Sequence, residues 1–253
     1  MENFVKDDSI IREIWGKSDT VLLIFAGAAA EFALNKAVDW LYFTGKLPAD
    51  PLGRLFSTVT YARKIIFADK TTSLKSIDSI YHIHKAVENS RESKIPDWAY
   101  RDVLFMLIYY SIASFEVLER KLTSEEKEEI YNVFFRVGER MSLKDLAPNY
   151  QSWLVQREEH LANDLEKSKY TKDLFKQYKK HLGTVRYFVL IEGQKLIIPD
   201  RVRILLGLSK ISLLSFILPF YKLSRFLHLD NLIKKVLLPK KYETEINEIN
   251  VVV

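Results

Sequence analysis

The most informative pair of titratable side chains is His82 and His84, which lie on one predicted helix. Helical spacing places His84 on the apolar face with Ile77 and Ile80, whereas His82 falls on the polar face with Asp78. A histidine on an apolar face is either a core residue hydrogen-bonded to a carbonyl or a metal ligand. His84 is therefore the candidate metal ligand, with the structural role left open.

Arg54 and Thr58 form a second candidate constellation on the preceding predicted helix. Their spacing of four residues stacks a guanidinium and a hydroxyl on one face among apolar neighbours. A buried guanidinium requires an anionic partner. Asp39 or Glu31 could provide it as a structural ion pair, and a haem propionate or a bound dioxygen species could do so equally well.

Several common kinds of site are absent from the sequence. The chain contains no cysteine, which excludes disulfide frameworks, thiolate nucleophiles, Cys-type zinc sites and iron–sulfur clusters with cysteine ligands. It also lacks the glycine-rich dinucleotide and P-loop motifs, the nucleophile elbow and HExxH. Any metal must therefore be bound through His, carboxylate or Tyr side chains.

The elements that must position these residues are predicted to be helices. With 8 Gly and 7 Pro in 253 residues, the chain has too few turn residues for a many-stranded sheet, and no long linker divides it. The small residues 26–30 would allow close approach of a helix or a flat ligand. Periodicity and capping signals predict helices over Val21 to Phe43, Asp50 to Phe67, Ser73 to Glu88, Asp97 to Leu118, Thr123 to Arg140, Tyr150 to Ser168 and Tyr170 to Leu182, with one strand at Arg186 to Ile191.

Several short motifs occur together in a recognisable order. Asp50-Pro-Leu-Gly-Arg54-x-x-x-Thr58 is followed by Ile83-His84-x-x-Val87, then by Leu122-Thr-Ser-Glu-Glu and by Leu146-Ala-Pro148. This series resembles the MpaB-like and rubber oxygenase family. The resemblance runs from about residue 9 to residue 165, with a further similar stretch at 198–208.

The resemblance implies an all-α, globin-like, single-domain protein with a hydrophobic pocket that holds a b-type haem. It also implies oxidation or cleavage of a hydrophobic, unsaturated, prenyl- or lipid-like substrate with O2. His84 would be the proximal iron ligand, and Arg54 and Thr58 would be catalytic residues of the haem pocket. The chain departs from the family pattern at Leu34 and Leu107, where many relatives have histidines.

The C-terminal part carries most of the excess positive charge, because residues 151–253 contain 18 Lys and Arg against 11 Asp and Glu. No nucleic-acid-binding motif accompanies this bias. We divide the single domain 1–253 into a family-like core at about 9–208 and a basic, apolar extension at 209–253. The extension either covers the core or contacts a lipid surface.

Two further expectations concern location and the remaining histidines. The N-terminus lacks the pattern of a cleaved signal peptide, so we expect a cytoplasmic protein, with peripheral membrane association left open. We expect His160 to be exposed because carboxylates surround it in the sequence. A haem-free or catalytically silent helical protein that binds lipid remains the alternative to the oxygenase.

Overall fold

The computed structural model describes residues 2–45 and 49–226, and the predicted all-α class is confirmed over these residues. They contain isolated β-bridges, such as Asn35 with Leu165, but no extended strand. The helices are α1 (Ile10–Trp15), α2 (Ser18–Phe32), α3 (Asp39–Phe43), α4 (Pro51–Phe67), α5 (Lys70–Arg91), α6 (Asp97–Leu118), α7 (Ser124–Arg140), α8 (Tyr150–Asn163), α9 (Lys169–Ile197), α10 (Asp200–Leu206) and α11 (Leu214–Phe226).

The centre of the fold is the packing of α2 against α6, and α7 and α9 cover this pair. Both helices are apolar around most of their circumference, which is why they are buried rather than amphipathic surface helices. Gly27 allows the close approach, since a Cβ atom there would lie 2.3 Å from two ring carbons of Tyr110. The small-residue segment of α2 therefore serves helix packing at this point.

Helices α4 and α5 form an antiparallel hairpin that carries Arg54, Thr58 and His84. Asp50 caps α4 by accepting a hydrogen bond from the Gly53 N–H, and Asp69 caps α5 in the same way through Thr72. The predicted limits of α4 are accurate, whereas α5 extends by three residues beyond the predicted Ser73 to Glu88 at each end. The α7 capping box at Thr123 and Glu126 also forms as predicted.

Two predicted elements are wrong. The long helix expected to begin at Val21 ends at Phe32, because the side chain of Asn35 accepts a hydrogen bond from the Ala37 N–H and so stabilises a turn. The segment expected to be a strand, 186–191, belongs to α9, which is interrupted at Gly183 with φ of 73°. A short apolar run does not by itself distinguish a strand from a helix.

Part of the predicted C-terminal extension is visible as α11, which contacts α9. Tyr221 donates a hydrogen bond to Asp19, and the hydroxyl of Ser212 just before the helix donates to the Glu192 carbonyl. Lys234, Lys235 and the remaining tail lie outside the described residues. The predicted boundary near residue 208 stays a prediction.

We predict that Gly27→Ala destabilises the fold, although alanine is the better helix former, because the rigid Tyr110 ring occupies the space of the new methyl group. Overpacking of this kind costs about 1–3 kcal/mol, measurable by chemical denaturation. Gly193→Ala is the matched control, since its Cβ would lie 3.6 Å from Leu23 in ordinary contact. Equal unfolding free energies for Gly27→Ala and the parent would contradict the proposed close packing.

Candidate functional site

His84 is held in a fixed orientation on the inner side of α5. Its Nδ1 lies 2.9 Å from the Ile80 carbonyl oxygen, and its ring meets Tyr100 edge-to-face. Because a carbonyl only accepts hydrogen bonds, Nδ1 carries the proton and Nε2 keeps its lone pair. His84 is half-buried and His82 is exposed, so the two rings face the sides that the sequence predicted.

Burial lowers the pKa of His84, and the nearby charge of Arg54 lowers it further against the opposing effects of Glu88 and the Ile80 hydrogen bond. The imidazole is thus favoured in its neutral form, which is the form that ligates metals. Arg54 on α4 thus acts electrostatically on His84 of α5, and the two helices pack against each other. The structure therefore brings together the two helices on which the site was predicted.

Arg54 is a half-buried cation, and burial lowers its pKa. Within residues 2–45 and 49–226, its guanidinium forms no ion pair with a carboxylate. The partners expected from the sequence are engaged elsewhere, since Asp39 pairs with Arg91 and Glu31 pairs with Arg157. That part of the prediction is wrong.

Thr58 lies one turn after Arg54, and its hydroxyl donates a hydrogen bond to the Arg54 carbonyl oxygen at 3.2 Å. The hydroxyl thus satisfies the helix backbone in this structure.

Leu34 is fully buried and Leu107 is half-buried, so both positions that depart from the family pattern contribute apolar groups. The cleft between the N-terminal residues and α7 is lined mainly by charged and polar side chains, so it is not the predicted hydrophobic pocket. That pocket stays a prediction.

A second polar centre, which the sequence analysis did not identify, lies where α2, α6 and α8 meet. Both oxygens of Glu31 accept hydrogen bonds from Arg157 at 2.5 Å, and Tyr110 donates to Glu31 at 2.8 Å. His160 Nε2 lies 2.8 Å from the same carboxylate. We call Glu31, Arg157, His160 and Asp102 the buried charge network.

The expectation that His160 is exposed is wrong, because only 2% of its side chain is accessible. Its neighbours Glu158 and Glu159 do face solvent. The missed signal is the helical stripe Trp153, Arg157 and His160, which places the histidine on the buried face of α8.

Burial opposes ionisation of Glu31, but the charge and hydrogen bonds of Arg157, together with His160, outweigh it and lower the pKa to about 2. Burial likewise disfavours a charged His160, yet its contacts with the carboxylates of Asp102 and Glu31 raise its pKa overall. Glu31 and Arg157 therefore form an ionised pair at neutral pH. Among the described residues, Asp102, His160 and Asp164 also bring potential metal-ligand atoms within 4.8 Å of one another.

We predict that Arg157→Met lowers the free energy of unfolding by about 3–5 kcal/mol, because it leaves the Glu31 carboxylate buried without its main counter-charge. Chemical denaturation measures the loss. Arg140→Met is the control, since Arg140 pairs with Asp78 at the surface and should matter far less. Glu31→Gln in the Arg157→Met background should recover part of the stability, and equal losses for the two arginine variants would refute the prediction.

Comparison with known proteins identifies one family. The family model described as ER-bound oxygenase mpaB/B'/rubber oxygenase, catalytic domain, matches residues 14–227. No curated protein and no solved structure matched the chain. The match includes the α4–α5 hairpin and the buried charge network, and it bears out the resemblance carried by the sequence motifs. The chain belongs to the mpaB/rubber oxygenase catalytic-domain family.

Proposed function

We propose that this chain is a haem b-dependent oxygenase that oxidises or cleaves a hydrophobic, unsaturated, prenyl- or lipid-like substrate with O2. Membership of an oxygenase family supports the reaction class. The observation that carries the haem assignment is the geometry of His84, whose Nδ1 is committed to the Ile80 carbonyl while Nε2 keeps a lone pair. Histidines that hold a haem iron are typically oriented by such a hydrogen bond on the other ring nitrogen, so His84 would hold the iron through Nε2.

The positive charge of Arg54 matches the anionic propionates of a haem, just as the free Nε2 of His84 matches its iron. A haem carries two anionic propionates, and Arg54 is a half-buried cation whose charge acts on His84 and is offset by no described carboxylate. When bound, haem supplies the binding and activation of O2. In this proposal His84 would hold the iron, and Arg54 would pair with a propionate.

Thr58 has a smaller part in the proposed site. Its hydroxyl bonds to the Arg54 carbonyl and so supports the turn of α4 from which the guanidinium extends. Leu34 and Leu107, at the positions where many relatives have histidines, provide no proton donor or acceptor side chain, and in this proposal they favour an apolar substrate. Without turnover, the same site would describe a haem carrier or sensor.

The second candidate is a haem-free helical protein that binds a lipid surface, and the exposed side of α11 favours it. Phe216 is 66% exposed and Phe220 is 72% exposed, with Ile217 and Leu223 nearby. Apolar side chains of this size are the groups by which interfacial helices enter lipid. Over the part of the chain that the structure describes, no helix is long and apolar enough to cross a bilayer. A cytoplasmic protein with peripheral membrane contact accords with this candidate and with the oxygenase alike.

We predict that His84→Ala loses most of the bound haem or strongly shifts its Soret band, because the substitution removes the imidazole that would hold the iron. His82→Ala is the matched control, since His82 is exposed on the same helix two residues away. The measurement is the visible spectrum and iron content of protein purified from haem-replete cells.

The parent protein should also convert an unsaturated isoprenoid in the presence of O2, with oxidised products detected by mass spectrometry. Haem binding without turnover would indicate a carrier or sensor. A parent that contains no iron but binds anionic vesicles would refute the oxygenase and support the second candidate.

We further predict that Arg54→Ala releases haem to apomyoglobin about tenfold faster than Thr58→Ala does. Loss of a charge-assisted hydrogen bond costs about 1.5–3 kcal/mol, whereas the Thr58 hydroxyl already bonds to the backbone. Arg54→Lys should restore part of the retention because it keeps the charge. Parent-like release from both alanine variants would place Arg54 outside a haem site.

A further inference from the structure

We propose that Asp102, His160 and Asp164 form a binding site for a divalent transition-metal ion, separate from the proposed haem position at His84. Asp102 lies on α6, His160 lies near the end of α8, and Asp164 caps that helix. The donor set contains one imidazole nitrogen and two carboxylates, which suits Zn²⁺ or Mn²⁺ better than the oxygen-preferring Mg²⁺ and Ca²⁺.

The distances between the donor atoms are close to those of a bound site. His160 Nδ1 lies 2.7 Å from an Asp102 carboxylate oxygen and 3.6 Å from an Asp164 carboxylate oxygen. Metal–ligand bonds of about 2.1 Å place neighbouring ligand atoms about 3.0–3.5 Å apart. The two distances from Nδ1 differ from this range by a few tenths of an ångström, and all three donor atoms lie within 4.8 Å of one another.

His160 Nδ1 is the atom that points to a ligand. The side chain is 98% buried, and Nδ1 has no hydrogen-bond partner despite its short distance to Asp102, because the two groups are not aligned as donor and acceptor. A buried polar atom without a partner is costly. A cation between Nδ1 and the two carboxylates would satisfy all three groups.

The other ring nitrogen of His160, Nε2, makes the kind of hydrogen bond that orients histidine ligands in many metal sites. His160 Nε2 donates to Glu31, and Arg157 holds Glu31 in its anionic form. A histidine whose far nitrogen donates to a carboxylate has a fixed ring and a more basic ligating nitrogen. Asp102 is oriented in a similar way, because Asn35 donates a 2.8 Å hydrogen bond to its second oxygen.

The charges of the site also favour a divalent cation. Glu31 and Arg157 compensate each other, which leaves the carboxylates of Asp102 and Asp164 facing one imidazole. The ammonium of Lys36 is nearby but donates to the Asn163 carbonyl. Asp164 is 25% exposed and provides an entry path from solvent. A bound ion would connect α6 to the end of α8, beside the Asn35–Leu165 bridge.

The test uses tag-free, full-length protein treated with a chelator and then dialysed against Zn²⁺ or Mn²⁺. We expect one ion per chain by mass spectrometry of the metal, and a higher melting temperature with the ion. Asp164→Asn should weaken binding at least tenfold without unfolding the protein, because Asp164 is partly exposed. Glu159→Gln, which removes an exposed carboxylate next to His160, should bind like the parent.

His84→Ala separates this site from the proposed haem site, since it should keep full Zn²⁺ binding even if haem is lost. Equal affinities of Asp164→Asn and the parent would overturn the proposal, as would no binding at millimolar Zn²⁺. Nitrogen NMR provides an independent readout. In the presence of Zn²⁺ we expect a proton on Nε2 only, and an imidazolium protonated at both ring nitrogens would show that His160 is a purely structural ion-pair partner.

Discussion

The buried Glu31 carboxylate is the constraint to which much of the structure responds. It lies fully buried in the last turn of α2, where an uncompensated charge would be strongly unfavourable. Arg157 from α8 neutralises it, Tyr110 from α6 donates to it, and His160 extends the contact to Asp102. These partners can meet Glu31 only if the three helices adopt one relative arrangement, so the network specifies packing that apolar contacts alone would leave less defined.

Close packing and charge compensation depend on each other at this point. Gly27 admits the Tyr110 ring against α2, and the same ring places its hydroxyl 2.8 Å from Glu31 one turn later. A larger residue at position 27 would displace Tyr110 and remove one of the donors to the buried carboxylate. The stability of the α2–α6 pair is therefore coupled to the polar centre that lies beside it.

The two polar centres of the molecule differ in how they are completed. The buried charge network is closed by protein groups on most sides, although His160 Nδ1 contacts Asp102 without an aligned hydrogen bond. The α4–α5 hairpin instead presents an oriented imidazole and a half-buried guanidinium that no described carboxylate offsets. Groups arranged in this second way are suited to an external partner, which is why the proposed oxygenase chemistry is assigned to the hairpin.

Local order and local geometry were determined by the sequence. The caps at Asp50, Asp69 and Thr123, the limits of α6, and the opposite facing of His82 and His84 all follow from contacts within a few residues. The order of the motifs around Arg54 and His84 also indicated the family. These features are predictable because helix caps and helical faces depend on short-range hydrogen bonds and on the 3.6-residue period.

Only the tertiary structure decided which charges meet. Glu31 and Arg157 are 126 residues apart, and no spacing rule links them. The turn at Asn35 and the burial of His160 depend in the same way on contacts with Asp102 on another helix. The pairing of buried charges is a property of packed helices, because the cost of burying each group is offset only by partners that distant parts of the chain supply.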